Sequence, residues 1–351
     1  MNMQMNKERP DISGVSPEIQ HYIIALETEI ERLQEAALQT AVSTRSTGRT
    51  TTEPAEPPTT LNVISVSRRG FAKRTPRHFY GRQRRGGIGV FDLDVAEPDY
   101  PAHLTIADET DTLLLISNLG RAFRVPVSNL SEASLRALGE WLLAGLLIRE
   151  NEQIVTVLPA AVSRFLIMVS QRGWVQRIRA SFVGTSLIPG MTFHDVKQGG
   201  HVTAACWTPG DGELFLATKQ GRAIRFLESQ VPDRGCLGLR VELGDEVAAV
   251  TAVTEESGVF LLSQNGKGTV RLMSGFRRNK APGAGGKVAL KTDRLAAAAA
   301  VQSGDDIFII AKSGKIIRFQ VDEIPTKEGV VQGVNCMALR NDMVTAVTQS
   351  Q

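Results

Sequence analysis

The sequence predicts an all-β fold in which six short β-blades form a propeller-like ring, preceded by a helix and a linker. Three observations carry this expectation: a hairpin motif that recurs six times, a second strand-like segment that recurs beside it, and a glycine at each hairpin turn.

The hairpin motif is an apolar run, then Ser or Thr in most copies, two polar residues, a turn glycine, and a second β-like run ending near an arginine. Its copies are NVISVSRRGFAKR (62–74), LLLISNLGRAFR (113–124), LIMVSQRGWVQR (166–177), LFLATKQGRAIR (214–225), VFLLSQNGKGTVR (259–271) and IFIIAKSGKIIR (307–318). The turn glycines Gly70, Gly120, Gly173, Gly221, Gly266 and Gly314 lie 45 to 53 residues apart. Val-, Ile- and Leu-rich runs around a turn that needs a positive φ are hairpin chemistry. One hairpin cannot bury both of its faces, whereas a ring of them can.

The second repeat is HLTIA (103–107), IVTVL (154–158), VTAAC (202–206), AVTAV (249–253) and LAAAAAV (295–301), each upstream of a later hairpin. The first hairpin has no such segment before it. MVTAV (343–347) has no hairpin after it and is expected to pair back onto the first blade, so that the C-terminal strand closes the ring and removes its exposed edges. SEASLRALGEWLLAGLL (131–147) contains helix formers, with Ser131 as a candidate cap, and is expected to be a structural insertion with a short turn of helix.

The first sixty residues divide into three pieces. Residues 1–15 are polar and are expected to be disordered. Residues 16–38 open with Ser16 and Pro17 and place Ile19, Ile23, Leu26, Ile30, Leu33 and Ala37 on a heptad seam, so an amphipathic helix is predicted. That helix either forms a homodimeric coiled coil or packs on its own domain. Residues 39–60 are rich in Thr, Ser and Pro and read as a flexible linker. The blades then occupy 61–351.

Composition excludes several classes. With 351 residues and 42% hydrophobic content the chain can bury a sizeable core. Cys206, Cys236 and Cys336 are widely spaced without a CxxC, which fits neither a disulfide framework nor a thiolate metal site. The longest apolar stretch, Leu138 to Ile148, is interrupted by Glu140, so no membrane partner is expected, and the N-terminus lacks the apolar core of a secretory signal. A cytoplasmic location follows as the expectation. The histidines His21, His78, His103, His194 and His201 are in neither ligand nor triad spacing, and no cofactor, metal or catalytic residue is predicted.

Charge is unevenly spread. The net +3 divides into −4 over residues 1–60, +8 over 61–90 and −1 over the remainder. The basic stretch holds Arg68, Arg69, Lys73, Arg74, Arg77, Arg82, Arg84 and Arg85 without an acid. Within it, Gln83, Arg84, Arg85, Gly86, Gly87, Ile88 and Gly89 combine guanidinium donors with glycines that let a backbone approach closely, a loop suited to phosphodiester contact. A solvated basic loop is the plain alternative.

QRRGGIG, placed just after the first of six repeats, resembles the QRRGG[R/K]G box of the C-terminal domain of the A subunit of bacterial DNA gyrase, and the chain as a whole resembles that β-pinwheel domain of gyrase and topoisomerase IV. Residues 62–89 follow that family's first blade, 130–159 resemble its second-blade loop, and GLRVELGDEVAAV (238–250) a recurrent segment. Ile88 departs from the family's basic residue. The resemblance implies a six-bladed β-pinwheel over 61–351 that wraps duplex DNA around its rim without sequence preference, with the box pinning the bend. It also implies a partner, the core of a gyrase or topoisomerase.

Arg74, Arg124, Arg177, Arg225 and Arg318, each four residues after a turn glycine, and Arg271, five after, are expected to form a ring or arc of phosphate contacts, unless paired with blade acids such as Glu228 or Asp322. A second acid-free block, 267–291, carries Arg277, Arg278, Lys280 and Lys287, looks like a degenerate box of the fifth blade, and is a further candidate DNA contact. Its PGAGGK is no Walker loop, because Val288 follows the lysine. Tyr22, Tyr80 and Tyr100 stand in no breakage–reunion core, so the chain is expected to be non-catalytic. The rival expectation is a protein-interaction scaffold that has lost its DNA rim.

Overall fold

A computed structural model describes Ile19 and residues 56–160 and 163–350. The predicted disordered segment, the heptad helix apart from Ile19, and the linker as far as residue 55 lie outside the described residues. The part from Ala55 onward is one compact unit.

Six four-stranded antiparallel blades make up this unit, the fifth with one additional short strand and a parallel outer pairing. Blade 1 runs outward from Pro101–Asp108 through the hairpin Leu61–Ser67 and Phe71–Pro76 to Glu140–Trp141. Blade 4 has the order Val247–Val253, Glu213–Thr218, Arg222–Leu227, Lys287–Val288. Blade 6 has the order Val344–Ser350, Asp306–Ala311, Lys315–Gln320, Val90–Phe91. Three strands of each blade come from one stretch of chain, interrupted between the hairpin and the third strand by a short strand given to the previous blade, and the outer strand comes from the segment after the next blade's hairpin.

Two expectations are corrected here. The second-repeat strands pair with the hairpin that precedes them: Leu61–Ser67 pairs with Pro101–Asp108 through Val63↔Ile106 and Ser65↔Leu104. The C-terminal strand accordingly completes blade 6, pairing Ile309 with Val347. The ring is closed instead by Val90–Phe91, which leaves blade 1 and pairs with Lys315 and Ile316 of blade 6. Residues 131–147 form no helix. Ala137–Leu138 and Glu140–Trp141 are extended, the latter as the edge of blade 1, because the exposed backbone of Phe71 and Ala72 offers ladder partners a short helix could not use.

The apolar runs are buried on both faces because each blade is packed between two others. Alternation divides each run between two inter-blade spaces. Ile64 and Val66 meet Leu113, Leu115 and Phe123 of blade 2, while Val63 meets Phe308, Ile310 and Ile316 of blade 6. The small residue of the motif ties the hairpin turn together. Ser67, Ser117, Ser170 and Thr218 each accept a hydrogen bond at the side-chain oxygen from the amide four residues on, across the turn. Turn glycines combine positive φ with close approach. At Gly173 (φ +83°) a Cβ would stand 1.9 Å from the Leu239 carbonyl oxygen, where the returning strand passes.

Candidate nucleic-acid interface

The QRRGGIG segment is a strap along the outer edge of blade 6. It begins where Arg82 pairs with Asp306 (2.8 Å) and the Gln83 amide donates to the Arg318 carbonyl (2.7 Å). It ends in Val90–Phe91. Between these points Arg85 turns inward: its amide donates to the Glu323 carboxylate (2.9 Å), and its guanidinium to the carbonyls of Glu323 (2.8 Å) and Asn335 (3.1 Å). The Gly86 amide donates to Cys336 O and that of Gly87 to Arg84 O. These amides are thus engaged within the protein. Gly89 is required by the strap itself, since at φ +79° a Cβ would lie 2.5 Å from the Ile316 carbonyl oxygen.

Arg84 is different. Its side chain is exposed and, among the described residues, carries no ion pair or hydrogen bond, while its neighbours Arg82 and Arg85 are held in place by blade 6. The outcome is a rigid basic ridge with one guanidinium directed to solvent. Ile88, 49% exposed, sits on the same strap.

Around Arg84 the predicted residues separate by depth. Arg68 and Arg69 are exposed on the first hairpin turn, Arg68 donating to Tyr100 Oη (2.9 Å) and Gln153 Oε1 (3.0 Å). Arg77 binds Glu56 and Ser350. Lys73 is 2% exposed and pairs with Asp92 (2.8 Å) while donating to the Ser134 carbonyl (2.7 Å). Asp92 also accepts from Ser65 and from Tyr80 (2.5 Å). Burial lowers the Lys73 pKa, partly opposed by Asp92.

The repeated arginines occupy equivalent places, but the structure turns them away from the rim. Arg74, Arg225, Arg271 and Arg318 are 7%, 1%, 6% and 4% exposed. Arg74, Arg225 and Arg318, with the half-buried Arg124, act as clasps between blades, whereas Nε and Nη1 of Arg271 are buried without a hydrogen-bond partner. Arg74 donates to Leu130 O (3.0 Å), Arg124 to Val183 O (3.1 Å), Arg225 to Met273 and Phe276 O, and Arg318 to Tyr80 O (3.1 Å), each acceptor lying just after the next blade's hairpin. Arg177 lies over Phe165 and 3.8 Å from Asp233. Phosphate contact at the buried positions would require breaking these bonds. Their acids are Glu109, Glu213, Glu255, Asp306 and Glu56 rather than Glu228, which bonds Thr208, or Asp322, which bonds Ser303. Glu213 and Asp306, the first residues of their hairpins, went unnoticed in the sequence although they stand at matching repeat positions.

The block around 277–287 forms a second strap, on blade 4. Arg278 pairs with Glu213 (2.8 Å), and Arg277, Lys280 and Lys287 are exposed. At the blade ends opposite the hairpin turns, Glu109, Asp211, Glu255, Glu256 and Asp322 are exposed, as are Arg164 and Arg179.

Comparison with known proteins agrees with this architecture. The family described as DNA gyrase C-terminal domain, beta-propeller, matches residues 61–100, 111–161, 212–253 and 305–327. The chain is 29% identical over 294 residues to the DNA gyrase A subunit of Ureaplasma parvum, covering 80% of this chain and 34% of that protein. It is 27% identical over 286 residues to the DNA gyrase A subunit of Escherichia coli K12, covering 78% and 32%. The chain therefore spans about a third of the length of the curated relatives it matches. The structure of a DNA gyrase A C-terminal domain aligns with a TM-score of 0.72 at 21% identity, over 82% of this chain and 99% of that one. That of a DNA topoisomerase IV C-terminal domain aligns with a TM-score of 0.59 at 20% identity, over 84% and 94%. In its six-bladed pinwheel and its box strap the chain is similar to the C-terminal domain of DNA gyrase A subunits.

Proposed function

We propose that the chain is a non-catalytic module that binds duplex DNA without sequence preference and wraps it against the rim of the pinwheel. It would act in the cytoplasm on the nucleoid, partnered by the core of a gyrase or topoisomerase. The observation that carries this reading is Arg84, an exposed guanidinium without a partner among the described residues, on a strap whose other basic residues are locked to blade 6. Preorganised basic groups contact phosphates with little ordering cost, and bending a short duplex needs contacts spread along a curved surface.

The test is duplex binding across a salt series, together with religation of relaxed plasmid in the presence of the protein. Affinity that falls steeply with salt, and a shifted linking number that Arg84→Ala abolishes, are expected. Salt-insensitive binding or an unchanged linking number would overturn the reading. Persistence of a protein partner in pull-downs of Arg84→Ala, with no DNA binding by the parent, would favour the scaffold alternative. That alternative draws on the net −1 of residues 91–351.

A further inference from the structure

We infer that the space between blades 5 and 6, at the blade ends opposite the hairpin turns, is a receptor for an arginine side chain carried by a partner protein. This site goes beyond the duplex-binding reading and does not depend on it.

The site is a clasp without its arginine. Hairpin pairing places Phe215 opposite Arg225 and Phe308 opposite Arg318, and the same register places Phe260 opposite Val270 in blade 5. Arg271 stands one residue further along, on the other face of the blade, where its guanidinium lies 5.7 Å from the Phe276 ring centroid. The acid is missing as well. Glu213 and Asp306, the first hairpin residues of blades 4 and 6, pair with Arg225 and Arg318; in blade 5 that place is taken by Gly258. Ser303 stands where Glu255, the other acid of Arg225, stands one blade earlier, since Val253 and Val301 occupy matching registers.

The acceptors remain. Arg225 donates to the carbonyls of Met273 (2.5 Å) and Phe276 (3.1 Å), which bracket a single turn closed by the Phe276 amide. Arg318 uses Arg77 O (3.4 Å) and Tyr80 O (3.1 Å) across the same kind of turn. In blade 6 the turn is Val321–Glu323, closed by the Ile324 amide on Val321 O (2.9 Å). Among the described residues no cationic side chain donates to the carbonyl of Val321 or Ile324. Gly258, Val270, Ser303, Val321 and Ile324 instead line one cavity of about 530 Å³. Leu272, Val301 and Pro325 give it apolar walls, and Glu256 and Asp322 are exposed among its lining residues.

This chemistry selects the occupant. Carbonyl oxygens and carboxylates repel a phosphate and accept a cation. Apolar walls suit the methylene stem of an arginine, and its planar, weakly hydrated guanidinium donates to several oxygens at once, which a compact ammonium does less well. A partner's arginine makes in trans the bonds that Arg225 and Arg318 make in cis.

The probe is the peptide acetyl-Gly-Arg-Gly-amide, titrated into the isotope-labelled full chain while amide resonances are followed. Saturable shifts are expected at Ser303, Val321 and Ile324, with a midpoint on the order of a few millimolar, because one anchored side chain must offset the lost motion of the peptide. Acetyl-Gly-Leu-Gly-amide should leave these resonances in place. Free arginine, which brings its own carboxylate towards Glu256 and Asp322, should bind more weakly than the peptide. Val270→Arg, which supplies the clasp in cis, should abolish peptide binding. Ser303→Glu, at an exposed position, restores the acid that Glu255 provides one blade earlier and should tighten binding about two- to fivefold; it decides the matter if Val270→Arg does not fold. Absence of saturable shifts at these residues, equal shifts with the leucine peptide, tighter binding of free arginine, or an affinity unchanged by Ser303→Glu overturns the site, whatever the outcome for DNA.

Discussion

Glu56 forms an ion pair with Arg318 across the junction between blades 6 and 1. At blades 1 and 4 the equivalent clasp arginines Arg74 and Arg225 take their acids, Glu109 and Glu255, from the loop leading to the next blade. Blade 6 has no such loop to a blade that precedes it in sequence. Glu56, just ahead of the first strand, stands in for it and also accepts from Arg77 Nε (2.9 Å). The last part of the predicted linker is therefore part of the ring.

Glu56→Gln should loosen this junction. Burial alone would raise the Glu56 pKa, but the bonds from Arg318 and Arg77 hold it below the ordinary carboxylate value. A depressed folded pKa gives stability that is present above the unfolded pKa and lost as pH falls. Hydrogen exchange at Val90–Phe91 and Val344–Ser350 should accelerate in Glu56→Gln at neutral pH, and in the parent on acidification. Unchanged protection of both strands would refute the latch.

Lys73→Met should destabilise the protein by about 3–5 kcal/mol, because it leaves Asp92 buried without its counter-charge. Urea unfolding measures this. Lys73→Met/Asp92→Asn should recover part of the loss, and a double variant no better than the sum of the singles would show that the pair is not coupled.

Gly89→Ala keeps every charge yet should weaken DNA binding as Arg84→Ala does. The new Cβ meets the Ile316 carbonyl in a left-handed conformation and detaches the strap from blade 6, at a cost of roughly 2 kcal/mol or more. Parental affinity in a folded Gly89→Ala protein would show that the strap's anchoring is irrelevant to binding.

His103 gives the protein a sensitivity to mild acid. Burial, with a smaller contribution from Arg68, lowers its pKa to about 4 against the opposing bond to Ile154 O (3.0 Å). The unfolded histidine takes up a proton near pH 6.5, so between about 6.5 and 4 the unfolded state binds more protons and stability falls as pH falls. The loss across this window is on the order of 3 kcal/mol at most. His103→Gln should show a smaller difference in urea midpoint between pH 7 and pH 5 than the parent; an equal difference would remove His103 as the cause.

Six hairpins, their turn glycines and their buried faces were legible in the sequence, because alternation and a positive-φ turn are set by neighbouring residues. Glu213 and Asp306 show the limit: their repeat positions were visible, but not the two arginines that each would hold. Ile88 and Arg84 could be read as strap residues only once blade 6 was in place beneath them.

What the sequence by itself determined is thus the number of blades, the composition of each inter-blade core and the position of the basic box. The tertiary structure alone decided that each outer strand belongs to the previous blade, that Val90–Phe91 rather than the C-terminal strand closes the ring, and that Arg74, Arg124, Arg225 and Arg318 clasp blades while Arg84 faces solvent. The reason is physical. Near-identical strand edges offer equivalent ladders to several partners, and a guanidinium turns inward where a neighbouring blade supplies carbonyls and a carboxylate, which only the assembled ring brings within reach.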